Sequence, residues 1–347
     1  MNNAFPVSFQ NTNNDNRKPI PALPAMTTEN VSKEEKQNTF LVEQVYCSSD
    51  VTAAIQGQLI FVSAFNVFLS ITAFLGNALI LVALRKESSL HPPSKLLLRC
   101  RATTDLCVGL IVDPLYVTLL VIVVNEQWNI CFAVAAAVSI AGFSLCTVSL
   151  LTLTAMSVDR LLALLLRLRY KQVVTLKRVY LATITFCVVS NVSSMMMMFW
   201  NSLIGLGYVM IVILLCLVTS IFCYTKIFFT LRHHQNQLQD HVQLPNQTNN
   251  LNIARYRKAV STTLWLQLML VVCYLPLLLV ILVIHTESSS FASLAWSYTL
   301  TLVSLNSSLN PILYCWKMDE VRQTSKDTVR QVLGCWLSKL LFIVSCF

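Results

Sequence analysis

The run Asn306-Ser307-Ser308-Leu309-Asn310-Pro311-Ile312-Leu313-Tyr314 lies inside an apolar stretch from roughly Phe291 to Trp316. A helical stretch of that length spans about 30 Å of hydrocarbon. Lipid offers no hydrogen bonds, so each polar group turned toward it costs several kcal/mol. Pro311 also lacks an N–H and leaves a helical carbonyl without its donor. The run must therefore face protein or internal water, and other helices must supply polar groups that match it.

The rest of the chain has the means to do so. Of its 347 residues, 55% are hydrophobic and 12% charged, about half the charged share of a soluble domain. Seven apolar runs are long enough to span: roughly Gln58–Leu84, Leu96–Val124, Phe132–Leu162, Val179–Trp200, Leu203–Thr230, Val260–Ile284 and Phe291–Trp316. The alternating ten-residue strands of a barrel do not occur. The expected fold is an all-α membrane protein, a seven-transmembrane helix bundle with a short amphipathic eighth helix on the inner leaflet over Met318–Leu333.

Four of the 25 Lys and Arg residues lie in the first 57 residues. The others fall on the side of the loops between helices one and two, three and four, and five and six, or after helix seven. Basic loops stay cytoplasmic, which puts the N-terminus outside and the C-terminus inside. The net charge of +9 thus reflects membrane topology and does not point to nucleic acid. Residues 1–57 read as a mostly disordered extracellular tail, 58–317 as the seven-helix domain, and 318–347 as a cytoplasmic amphipathic helix and tail. The tail has no apolar core of a cleavable signal, so helix one is expected to direct insertion. Asn30 opens an Asn-Val-Ser glycosylation acceptor on the outer side. No internal repeat of the transporter kind is present.

Ionisable groups inside the bilayer are the first candidates for function. Asp105 is the deepest, and Asn77, Ser149, Asn306, Ser307 and Asn310 fall at comparable depth on other helices. Together they would solvate one carboxylate and hold a small cation with oxygen ligands. The plainer alternative is interhelical bonding, worth about 0.6 kcal/mol per bond. Arg101 lies one turn inward from Asp105, where a charge costs about 2.5–3.5 kcal/mol. The favoured expectation is that it snorkels inward beside Arg99. The other is an i,i+4 pair with Asp105 that would compete with a bound cation. Asp113, on regular helix geometry about 12 Å further out and about 80° around, is the candidate for a cationic group on a ligand. Glu126 and Glu287 stand at the rim, and Trp296 and Tyr298 either line a pocket or anchor the helix ends. No nucleophile–base pair or metal-spaced His cluster suggests an enzyme.

Gly76-Asn77, Asp105, Ser149, Asp159-Arg160, Tyr224, Cys273-x-x-Pro276 and Asn310-Pro311-x-x-Tyr314 together resemble the rhodopsin-like (class A) G protein-coupled receptors. The motifs run through six helices in the family's order. The resemblance implies a sodium pocket at Asp105, Ser149, Asn306 and Asn310, with no other cofactor. It implies that Arg160, beside Asp159, contacts the G protein. Tyr224 and Tyr314 would turn inward to hold the open state, and helix six would move about Pro276, preceded by Tyr274. Pro311 would loosen helix seven. The implied partners are an extracellular ligand, a heterotrimeric G protein, arrestin and the lipid bilayer, with no nucleic acid, at the plasma membrane.

Several positions depart from the family pattern. Tyr274 replaces a tryptophan, Leu161 a tyrosine, and Cys216 the usual helix-five proline. Tyr256 stands where many members place an acid that restrains the arginine, which implies basal signalling. Gly142 occupies the position where amine receptors hold an aspartate, so the ligand reads as a peptide, a lipid or another non-aminergic molecule. The lost proline and a minimal second outer loop look like the melanocortin and lipid-sensing receptors. That outer loop has no cysteine for the family's usual bridge. A Cys47–Cys131 disulfide in an oxidising compartment is the hypothesis in its place, with two free thiols as the alternative. Cys335 is a palmitoylation candidate. A receptor-like protein that does not signal, such as a decoy or chaperone partner, is the alternative function.

Overall fold

A computed structural model describes residues 46–47, 49–86, 91–166, 169–199, 202–240, 265, 268–282, 290–317, 322–323, 326–327 and 329–330. Asn30, Tyr256, Glu287 and Cys335 lie outside the described residues. Among the described residues the structure is helical with short connections. The helices are α1 (Ser49–Lys86), α2 (Pro92–Val124), α3 (Trp128–Leu166), α4 (Leu176–Phe199), α5 (Ser202–Asp240), α6 (Leu268–Leu282) and α7 (Ser290–Lys317). The first five are long and apolar enough to cross a membrane. The six described residues between 322 and 330 are helical and exposed.

Helices α1 and α5 overrun the apolar runs that signal them. Helix α1 begins at Ser49 and α5 continues to Asp240. Neither extension contains proline, and the polar residues added to α5 tolerate helix once solvated. Pro92 and Pro93 open α2, in the first turn, where an N–H has no helical acceptor.

Polarity is inverted relative to a soluble domain. Phe61, Phe68, Ile71 and Leu75 of α1 are exposed along one stripe, whereas Asn66, Asn77, Asp105, Asp113, Ser149 and Asn310 are buried. An apolar exterior around a polar interior is the solution that lipid as a solvent requires.

Two prolines set the seams of the bundle. In α7, Pro311 has no N–H for the carbonyl of Ser307, four residues back. Asn77 Nδ2 of α1 donates to that carbonyl at 3.1 Å. The approach is close because Gly76 carries no side chain: a Cβ there would lie 2.8 Å from Pro311 Cγ. In α2 a π turn occupies Val108–Val112, and the Asp113 N–H reaches back five residues to Val108. Continued in that register, residue 114 would donate to Gly109, but it is Pro114. Ser70 Oγ of α1 serves the Gly109 carbonyl instead, at 2.7 Å. Here too glycine admits the neighbour, since a Cβ on Gly109 would meet the Ser70 backbone carbonyl oxygen at 2.8 Å. Ser308 Oγ to the Leu69 carbonyl (2.9 Å) and Asn66 Nδ2 to Thr301 Oγ1 (2.9 Å) complete the α1–α7 seam.

Candidate functional site

The polar interior converges on Asp105, whose residue is 0% exposed. Oδ1 accepts hydrogen bonds from Ser307 Oγ at 3.0 Å and Ser149 Oγ at 3.3 Å. Oδ2 accepts from Asn310 Nδ2 at 2.7 Å. One carboxylate thereby joins α2, α3 and α7. Asn306, buried beside them, makes no hydrogen bond among the described residues through either amide atom. Tyr314 is 1% exposed and its hydroxyl likewise has no described partner.

Arg101 does not snorkel. Its side chain is 1% exposed, its Nε stands 3.1 Å from Asp105 Oδ2, and its Nη1 donates to Ser149 Oγ. Proximity decides this: a carboxylate one helical turn away, in a site of low dielectric, attracts the guanidinium more strongly than distant interfacial water. Arg99, two residues earlier, faces another way and donates to the Leu84 carbonyl near the end of α1.

The donor set at Asp105 does not fit a sodium ion. A hard cation needs several free oxygen lone pairs. Here the carboxylate oxygens receive three hydrogen-bond donors and face the Arg101 guanidinium, Asn310 presents its amide nitrogen, and Ser149 accepts from Arg101. A guanidinium already supplies the positive charge.

Asp113 also departs from expectation. It is fully buried and does not line the cavity; its Oδ1 accepts from Ser304 Oγ of α7 at 2.7 Å. The π turn between the two aspartates winds fewer degrees per residue than an α-helix and alters the phase computed from regular geometry. Asp113 is an interhelical bridge in this structure. Glu126 sits exposed on the turn before α3 with φ 55°. Trp296 and Tyr298 diverge, as two residues on a helix are about 200° apart. Trp296 lines the cavity, while Tyr298 is 39% exposed and does not.

The cavity lies between α2, α3, α5, α6 and α7, and Tyr274 and Ser307 are among the residues that line it. Among the described residues its lining is mainly aliphatic and aromatic, with hydroxyls from Ser139, Thr147, Ser149, Ser304 and Ser307 and from Tyr46, Tyr116 and Tyr274, and no Asp, Glu, Lys or Arg. Tyr46, from the segment preceding α1, enters the lining and accepts a hydrogen bond from Trp296 Nε1. Cys47 forms a disulfide with Cys131 at the start of α3, Cα atoms 6.1 Å apart. The covalent tie and the Tyr46 anchor are adjacent in sequence, so the segment is held over the bundle twice.

At the other end, Asp159 accepts from Ser94 Oγ of α2 at 2.8 Å and from the Tyr170 hydroxyl at 2.7 Å. Burial, and then the Asp159 carboxylate, push the Tyr170 phenol up to about 12 despite its bond with Ser94. Arg160 beside it is half-buried. Tyr224 of α5 is buried and shares a 3.1 Å hydrogen bond with Ser157 of α3. Pro276 is half-buried in α6, and Tyr274 is buried two residues before it.

Sequence reasoning passed over Tyr46, Ser94, Tyr170 and Ser304. Ser304 was the most legible, two residues before a polar run already known to face inward. Ser94 and Tyr170 lie in regions that read as polar inner loops, where a hydroxyl carries no signal of its own.

A family model described as the 7 transmembrane receptor (rhodopsin family) matches residues 76–204 and 199–314. The chain is 25% identical over 278 residues to melanocortin receptor 4 of Danio rerio, covering 77% of this chain and 82% of that protein. It is 25% identical over 301 residues to melanocortin receptor 5 of Mus musculus, covering 77% and 84%. It is 24% identical over 298 residues to adenosine receptor A3 of Ovis aries, covering 79% and 91%.

Proposed function

Because the chain belongs to the rhodopsin family of seven-transmembrane receptors, we propose that it converts binding of an extracellular ligand into activation of a heterotrimeric G protein. In this reading α1 to α7 all span the plasma membrane, with residues 1–57 outside. Residues 318–347 lie inside, beginning with an amphipathic helix, and arrestin engages the same face.

The observation that carries the proposal is the buried network on Asp105. It joins three helices by hydrogen bonds that a shift of about one bond length would break. Prolines at 114, 276 and 311 interrupt the helical bonding of α2, α6 and α7. Interrupted helices around a polar interior allow two packings of similar energy, which a switch requires. The Ser157–Tyr224 bond and the Ser94–Asp159–Tyr170 cluster then belong to the packing in which the inner face is closed. Opening it exposes Arg160 to the G protein and lets Tyr224 and Tyr314 turn toward each other.

The ligand we infer is uncharged and mainly apolar, with groups that bond to Ser139, Thr147 or Ser304. A charged ligand would find no counter-ion among the described residues that line the cavity. The named relatives are melanocortin and adenosine receptors, and the non-aminergic reading accords with both.

Expression with a panel of G protein dissociation sensors, for the unaltered chain and Arg160→Ala, tests the proposal. Basal or ligand-driven output abolished by the substitution supports it. Output that survives the substitution overturns the role of Arg160. Silence of the unaltered chain across sensors and a library of apolar ligands favours the non-signalling alternative.

A further inference from the structure

We propose that Arg101 is the permanent counter-ion of Asp105, a tethered guanidinium in the place where a mobile alkali cation would otherwise sit. The inference rests on the receptor reading only in taking that place to be the hub of the bundle. Three observations carry it. First, the side chain of Arg101 is 1% exposed and that of Asp105 0%, so both charges are removed from bulk water. Second, the guanidinium makes two separate contacts, Nε with Asp105 Oδ2 and Nη1 with Ser149 Oγ, which fix its orientation between α2 and α3. Third, the remaining polar contacts of Asp105 are donors, from Ser149, Ser307 and Asn310. The positive charge that balances the carboxylate is therefore supplied by the chain.

A tethered charge behaves differently from a dissolved one. A sodium ion stabilises the state it binds in proportion to the logarithm of its concentration, by mass action. A guanidinium one turn along the same helix is present at the same effective concentration whatever the medium. The balance between packings in this chain is then independent of sodium. Removing the guanidinium leaves a buried carboxylate with three hydroxyl and amide neighbours that can turn oxygen lone pairs toward an ion. Loss of Arg101 should thus create sodium dependence.

The test compares thermal unfolding midpoints of the full-length chain in nanodiscs, in sodium chloride or choline chloride at about 0.15 M ionic strength. Choline matches the ionic strength but is too large for the site. The unaltered chain should unfold at the same midpoint in both salts. Arg101→Ala should unfold at a lower midpoint in choline and be raised by sodium in a saturable way, and adding Asp105→Asn should abolish the rise. A sodium-dependent midpoint in the unaltered chain overturns the proposal. So does an Arg101→Ala chain that folds and ignores sodium. Should Arg101→Ala not fold, Arg101→Lys keeps the tethered charge: it should remain indifferent to sodium, and sodium stabilisation of either it or the unaltered chain refutes the idea. The readout is fold stability. A chain silent to every G protein sensor yet indifferent to sodium would leave this inference standing while the receptor proposal fell.

Discussion

The bond from Asn77 to the Ser307 carbonyl predicts a measurable coupling between a side chain on one helix and a proline on another. Asn77→Ala removes the donor that replaces the missing N–H of Pro311. Bonds of this kind between membrane helices are worth about 0.6 kcal/mol on average and up to about 1.7 kcal/mol. Pro311→Ala restores a backbone N–H four residues after Ser307, in position to bond the same carbonyl. With Asn77 in place, that N–H finds its acceptor already served. In the Asn77→Ala background it becomes the sole donor. The double variant should therefore be milder than the sum of the singles by about 0.6–1.7 kcal/mol, or on the order of 2 °C in unfolding midpoint. Asn77 also donates to Ala73 at 2.8 Å. That loss is common to both Asn77→Ala proteins and cancels in the cycle. The gap left beside Gly76 when the proline ring is removed is common to both Pro311→Ala proteins and cancels too. Thermal unfolding of the four proteins in nanodiscs measures the term. Additivity within about 0.3–0.5 kcal/mol would show that the carbonyl does not depend on Asn77 and refute the reasoning.

Three further outcomes follow from the geometry. Cys47→Ser and Cys131→Ser should each lower the unfolding midpoint by the same amount, corresponding to about 2–4 kcal/mol, and the double variant should be no worse than either; unequal or additive losses would count against a shared bridge. Tyr46→Phe should cost about 1 kcal/mol through the lost bond with Trp296, whereas Tyr46→Ala should also enlarge the cavity and increase binding of an apolar fluorescent dye. Ser304→Ala should destabilise the fold by about 1–3 kcal/mol because it strips the only described donor from buried Asp113, and Ser304→Thr, which keeps the hydroxyl, should restore the midpoint.

A helical membrane architecture and its polar hub were legible in local pattern. Polar residues in apolar runs have few places to go, because lipid penalises every unsatisfied polar group. The run from Asn306 to Tyr314 therefore had to face inward, and Asp105, Ser149, Ser307 and Asn310 had to meet something polar, which proved to be one another. The orphaned carbonyl of a membrane proline was equally legible, although its donor was not. Tertiary structure decided what periodicity leaves open. Arg101 had two escapes from lipid, toward the interface or toward Asp105, and only the burial of both groups selects the second. The facing of Asp113 depended on one π turn, which shifts the phase of everything beyond it and has no simple sequence signature. Tyr46 joined the cavity because a disulfide holds the chain before α1 against the start of α3, a contact 84 residues apart in sequence. Local pattern records which groups must be hidden; the partners that hide them are set by distant segments arriving at the same place.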